Sequence, residues 1–138
     1  MNNKYIEMKR KHQKEVNNFP MFFAFSKEQF KEGMKKLGLE PSETNKIYKF
    51  GNTGGFYKRT DSAKLKKMLN RHDKEIKEAM KNDTFIFDMF YYELGNHEYS
   101  ITYELGDTLD SLSLTYEEVQ NDKRLLNALD LAIKKIME

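Results

Sequence analysis

Ile47-Tyr48-Lys49-Phe50-Gly51-Asn52-Thr53-Gly54-Gly55-Phe56-Tyr57-Lys58-Arg59 is the stretch on which the fold class turns. Two short aromatic runs flank a glycine-rich segment, the pattern of a β-hairpin. Glycine reaches the positive φ angles of such a turn at no steric cost. The turn lacks the Gly-Lys-Ser/Thr ending of a P-loop and the GxGxxG order of a dinucleotide site. The rest of the chain carries mainly helical periodicity, so one hairpin in this setting predicts an α+β fold.

Upstream, Tyr5, Met8, His12, Val16 and Phe19 recur every three to four residues. They form the apolar stripe of an amphipathic helix, with Lys4, Lys9, Arg10, Lys11 and Lys14 mostly off it. Pro20 ends or follows that helix. The apolar run Phe19–Phe25 is too short for a helix and reads as an extended core segment. Ser26 and Gln29 make a capping-box pair. They open a helix with Phe30, Met34 and Leu37 on its stripe, closed by Gly38.

Downstream of the hairpin, Thr60 or Asp61 can cap a long helix whose stripe is Leu65, Met68, Leu69, His72, Ile76, Ala79 and Met80. Residues 85–94 fit both helical and strand periods. Asn82-Asp83-Thr84 before them and Gly95 after them favour helix. Tyr99–Leu105 reads as extended. Thr115 and Glu118 form a second capping box around a short helix. Asn121 or Asp122 opens the last helix, with Leu125, Leu126, Leu129, Ala132, Ile133 and Ile136 inward. Lys134 and Lys135 at its C-terminal end suit the helix dipole. The expected fold is a mostly helical α+β single domain over residues 1–138, with one β-hairpin and room for a small antiparallel sheet.

Composition narrows the function. The chain has 138 residues, no Cys and a net charge of +2. This length can bury roughly two-thirds of the unfolded surface, so no disulfide or metal staple is required. Without Cys there is no disulfide framework, thiolate zinc site, iron–sulfur cluster or cysteine nucleophile. No apolar run approaches the ~18 residues of a membrane span. The opening MNNKYIEMKRKHQKEV has no apolar core of a secretory signal. A cytoplasmic protein without membrane partners is expected.

The near-neutral total hides a split. Residues 1–81 hold 20 Lys/Arg and 10 Asp/Glu, whereas residues 82–138 hold 4 and 12. Such asymmetry points to charged partners, or to two parts of one fold that offset each other. Lys46, Lys49, Lys58, Arg59, Lys64, Lys66 and Lys67 lie among Tyr48, Phe50, Phe56 and Tyr57. Cations bind phosphates and exposed aromatics stack on bases, so this mix suits single-stranded nucleic acid. Strand alternation could instead send the aromatics into the core and leave the lysines solvated. No RNP, KH or zinc-finger signature accompanies them. In the C-terminal part, Glu104, Asp107, Asp110, Glu117, Glu118 and Asp122 could form a face complementary to a basic protein. The competing reading is an acidic surface that serves solubility.

Other constellations carry less. Leu109, Ser113 and Val119 are spaced like helix-turn-helix anchors, but the second helix would present Glu117, Glu118 and Asp122 to phosphates that repel them. A structural corner is expected there. Glu93 and His97 could share a helix face as metal ligands, yet without an HExxH motif a local salt bridge is the better reading. His12 and His72 sit on apolar stripes as core or helix-contact residues. No nucleophile signature such as GxSxG occurs. Neither a cofactor nor a bound metal is expected, and a non-enzymatic role follows.

Phe19-Pro20-Met21-Phe22-Phe23-Ala24-Phe25, Gly54-Gly55-Phe56-Tyr57-Lys58, Glu93-Leu94-Gly95-Asn96-His97-Glu98-Tyr99, and Asp107-Thr108-Leu109-Asp110 through Glu117-Glu118-Val119 resemble a family of small uncharacterised proteins. That family is associated with low-GC Gram-positive bacteria and their phages or mobile elements. The resemblance spans nearly the whole chain and brings no activity with it. It implies a phage-type accessory role, a class that includes inhibitors of host enzymes or defence proteins. The expected function is therefore a small interaction protein that docks a protein partner through a charged face. The alternative is an accessory nucleic-acid binder using the basic hairpin.

Overall fold

A computed structural model describes residues 3–138. Its contacts gather into two compact units. One comprises the N-terminal segment through Lys11 together with Glu75–Glu138, and the other is His12–Lys74. The fold is α+β, with eight α-helices and three strands among the described residues. Charge follows the units. His12–Lys74 holds 14 Lys/Arg and 7 Asp/Glu, a balance of +7, which leaves −5 for the other unit.

The basic unit contains the end of helix α1 (Lys4–Asn18), strand β1 (Met21–Phe23), helix α2 (Lys27–Lys36), strands β2 (Ile47–Phe50) and β3 (Gly55–Lys58), and most of helix α3 (Ser62–Ala79). The expected hairpin is β2–β3, and Gly51 and Gly54 hold its turn at φ of 54° and 83°. The third strand is β1, which pairs antiparallel with β3 and gives the order β1-β3-β2. Phe22, Met34, Leu37 and Ile47 form the core on one face of this sheet, with Phe30 and Phe56 packed against them. Phe22 rests on the bare backbone of Gly33, where an added Cβ would fall 2.0 Å from the ring.

Ser26 caps α2 as expected by accepting from the Gln29 amide. The second half of the capping box differs. Gln29 Oε1 accepts from the Phe25 N–H at 2.7 Å, one residue upstream of the cap. At α3, Thr60 and Asp61 lie within a 3₁₀ turn, Arg59–Asp61, that leads into the helix at Ser62. The expectation for Phe19–Phe25 needs correcting. Met21 and Phe22 are buried, but Phe23 is 47% exposed and Phe25 78%. Alternation along a strand turns neighbouring side chains to opposite faces, so one short strand cannot bury a continuous aromatic run on one core.

The acidic unit is helical. Helix α4 (Asp83–Asn96) resolves the ambiguous residues 85–94, and Asn82 caps it by accepting from the Phe85 amide. Against α4 packs α8 (Lys123–Ile136), opened by Asp122, whose carboxylate accepts from the Arg124 and Leu125 amides. Phe85, Ile86, Met89, Phe90, Leu94, Leu129 and Ala132 are buried in this core, together with Tyr5 from α1. Arg124 ties the ends of two elements. Its guanidinium donates to the carbonyls of Met80 and Lys81 at 3.0 and 2.9 Å and pairs with Asp83. Three short helices link α4 to α8: α5 (Tyr99–Thr102), α6 (Gly106–Ser111) and α7 (Tyr116–Gln120).

Residues 99–105 were expected to be extended, and the structure corrects this. Backbone bonds from Thr102 to Glu98 (3.1 Å) and from Tyr103 to Tyr99 (2.8 Å) close a single helical turn. Residues 100–104 are exposed, so an extended backbone there would leave its N–H and C=O groups to water. The local turn satisfies those groups instead.

Candidate functional site

In the acidic unit, residues 98–122 contain seven Asp/Glu and no Lys, Arg or His. Glu104, Asp107, Asp110, Glu117, Glu118 and Asp122 are all exposed. The same segment exposes large apolar side chains: Ile101 at 73%, Tyr103 at 66% and Tyr116 at 55%. Its backbone is anchored from beneath. Leu109 and Val119 are buried in the core, and the hydroxyl of the buried Thr108 donates to the Glu93 carbonyl at 3.4 Å. The helix–turn–helix corner expected from Leu109, Ser113 and Val119 is present as α6 and α7.

Within the group, roles separate. Thr115 and Glu118 form the complete capping box of α7, and Asp122 caps α8. Those two carboxylates hold helices. Glu104, Asp107, Asp110 and Glu117 hold no cap. The backbone adds a second signature. Among the described residues, non-glycine positive φ angles occur at Glu98 (55°), Tyr103 (58°) and Ser113 (55°), all in this segment. A left-handed conformation costs an L-residue roughly 1–2 kcal/mol, and such strain concentrates at binding and switch sites. Nothing in residue type alone marks Glu98 or Tyr103 for that conformation, so sequence reading missed it.

The basic residues divide by face. Register places Tyr48 opposite Tyr57 and Lys49 opposite Phe56. Directly opposed residues share a face, so Lys49 and Lys58 lie on the side of Ile47 and Phe56, whereas Tyr48 and Tyr57 lie on the other. Lys46, Lys58 and Arg59 line one surface cavity of about 330 Å³ together with Leu39, Asn45 and Thr60. Lys64, Lys66 and Lys67 are exposed on α3. The hairpin aromatics therefore split, Phe56 joining the core and Tyr48, Phe50 and Tyr57 facing away from it.

Glu93 is fully buried in the acidic unit. Its Oε2 accepts from the Tyr5 hydroxyl at 2.5 Å and from Lys9 Nζ at 3.0 Å. Its Oε1 accepts from Asn96 Nδ2 at 3.3 Å, with His97 Nε2 at 3.8 Å. Burial, first, and the hydrogen bond to Glu93, second, hold the Tyr5 phenol far above its usual titration range. Both carboxylate oxygens are engaged, so the cluster neutralises a charge inside an apolar core. Tyr5 and Lys9 are more than 80 residues away in sequence, and only His97 could be read as a partner beforehand. Among the described residues, no three His, Asp or Glu converge as a metal site requires. No helix there is long and apolar enough to cross a membrane.

In the basic unit, the His12 and His72 rings stack at 3.9 Å between centroids, 13° from parallel. Both are buried, and His72 Nε2 lies 3.4 Å from Glu15, which also pairs with Arg71. Burial, first, and the charge of His12, second, push the His72 pKa down.

Fold and surface thus define a small α+β protein that sorts opposite charges into two units. The chain belongs to DUF7659, a family of unknown function, whose model matches residues 4–135. No curated protein and no solved structure matches it significantly.

Proposed function

We propose that the protein is a non-enzymatic interaction protein that docks a basic protein partner through the face built from residues 98–122. The observation that carries this reading is the coincidence, in one segment, of seven acidic residues, no cation and three exposed large apolar side chains. Tyrosine supplies contact area at low entropic cost and is enriched where interface binding energy concentrates. The surrounding carboxylates would steer a lysine- or arginine-rich surface toward those rings and select against acidic ones. Anchoring by Leu109, Val119 and Thr108 keeps the face ordered before contact, which lowers the cost of binding. The setting we read is the cytoplasm of a low-GC Gram-positive host, where the protein would serve a phage or mobile element as an accessory protein or inhibitor. The sequence resemblance supports that setting, as does the preference for Lys over Arg, 20 to 4.

The test spares the caps. Glu104, Asp107, Asp110 and Glu117 are reversed to Lys together, with Tyr103→Ala as a separate variant. Affinity for the protein partner recovered with the native chain is then measured at low and physiological salt. At least a tenfold loss in both variants, with association slowed by salt only while the carboxylates remain, is expected. Unchanged affinity in the charge-reversed, folded variant would show that the partner binds elsewhere.

A further inference from the structure

The basic unit presents a surface of its own. Register aligns Met21, Tyr57 and Tyr48 in one row across β1, β3 and β2, and Phe23, Gly55 and Phe50 in the next. These two rows share the sheet face opposite the Phe22–Met34–Ile47 core, because residues two apart in a strand point the same way. Phe23 and Tyr48, on the two edge strands, are 47% and 43% exposed, and Tyr57 and Phe50 are half-buried. Gly55 carries no side chain between Phe23 and Phe50, and the Phe23 ring lies where a Cβ would fall, 2.9 Å away. Met21 is buried at the β1 end of the first row, so the accessible part is an aromatic platform that runs over Phe23, Tyr48 and the half-buried Tyr57 and Phe50 and is interrupted by a glycine.

One cation meets this platform at the β2 edge, while Lys58 lies on the opposite face of the sheet, beside Ile47. The Arg59 guanidinium lies 4.6 Å from the centre of the Tyr48 ring, and its Nε donates to the Ile47 carbonyl at 3.3 Å. Arg59 also lines the 330 Å³ notch with Lys46 and Lys58. One carboxylate is present there, since Glu43 pairs with Lys46. The unit as a whole carries +7. An anionic polymer with flat, stackable units spaced along it matches both features at once. Phosphates suit the notch, and bases suit the rings.

We propose that the β1-β3-β2 sheet of the basic unit binds single-stranded nucleic acid, with backbone phosphate in the Lys46–Lys58–Arg59 notch and bases stacked on Tyr48 and its neighbours on that face. Base stacking on aromatic rings ignores base identity, so the binding is sequence-tolerant. Duplex bases are already stacked on one another and cannot reach the rings, so a duplex is bound more weakly than a single strand.

The test titrates the full chain with fluorescently labelled twelve-nucleotide oligo-U, oligo-dT and a duplex of equal length, across about 20 to 200 mM salt. Single strands, of either sugar, should bind more tightly than the duplex. Affinity should fall with salt at a log–log slope of about −2, the yield of three neutralised phosphates at roughly 0.7 each. Tyr48→Ala should weaken binding about 5- to 150-fold, the worth of one stacked base, while Tyr48→Phe should keep it. A Lys58→Gln/Arg59→Gln double variant, which leaves the strand residues of the platform in place, should flatten the salt slope. Absence of binding at 20 mM salt, a preference for the duplex, or full affinity in both Tyr48→Ala and the double variant would overturn the proposal.

Discussion

Tyr5 shows how one side chain can decide whether a core closes. Its hydroxyl is the uncharged donor to Glu93, and Lys9 Nζ is the charged one, lying 5.8 and 5.3 Å over the Tyr5 and Tyr92 rings. A buried carboxylate without donors costs far more than one that is paired, because water can no longer solvate it. Tyr5→Phe removes one donor while keeping the ring. It should cost about 1–3 kcal/mol of unfolding free energy, measured by urea denaturation. In the native chain, the Tyr5 phenol should also fail to titrate with the other tyrosines when the folded protein is brought to alkaline pH and followed by ultraviolet absorbance. The apolar stripe of α1 made Tyr5 legible as a core residue. Its partner was not legible, because a contact spanning 88 positions leaves no periodic trace. Gly33 is a similar case: its need for a bare backbone comes from Phe22 resting on it.

At the scale of elements, local chemistry was the most readable. Capping residues act within three or four positions, so the Thr115–Glu118 box was legible from spacing, and Asn82-Asp83-Thr84 and Asn121 or Asp122 marked helix starts at which the structure places the caps on Asn82 and Asp122. For Asp122 the cap and the charge can be separated. Asp122→Ala should lower stability by about 1 kcal/mol, read as a shift in the urea midpoint, whereas Asp122→Asn should hold the cap and lose only the charge. If the asparagine variant destabilised as much as the alanine one, the carboxylate would be acting through charge at the helix N-terminus rather than as a hydrogen-bond acceptor. Elements that depend on distant partners read less well. Tyr99–Leu105 has the residue types of a strand, yet its backbone bonds close a local helical turn. In contrast, β1 was readable only as an extended run, since its pairing with β3 joins Met21 to Tyr57.

For the molecule as a whole, charge and pH are the accessible variables. His72 has its pKa pushed below the ordinary value of 6.5, chiefly by burial. The unfolded chain therefore takes up a proton at higher pH than the folded one. This histidine's favourable share of stability is complete above about pH 7 and drains away as pH falls through 6.5 toward the lowered folded value. Glu15 and Arg71, which face it, keep their charges across that window. Glu15 is held below its ordinary 4.5, first by its hydrogen bond to Arg71. We expect the urea midpoint to fall between pH 7.5 and 5.5, and to fall less in His72→Phe, which keeps a ring in the stack without a titrating group. Equal slopes in the two proteins would remove His72 as the cause.

The sequence by itself determined the longer helices, several helix ends, the hairpin and the sorting of charge, because each rests on interactions a few residues long or on composition. The acidic candidates were legible as a group for the same reason. Tertiary structure alone decided which side chains around those carboxylates reach the core and which stay outside it. It set Ile101, Tyr103 and Tyr116 outward beside them, and it split the hairpin aromatics between a core and an outer face. It also brought Tyr5 and Lys9 onto Glu93, and His12 onto His72. These outcomes depend on strand register and on contacts between segments far apart in the chain. Side-chain periodicity says that a residue has an inner or outer face, but the partner that makes a face inner is supplied only when the distant segment arrives.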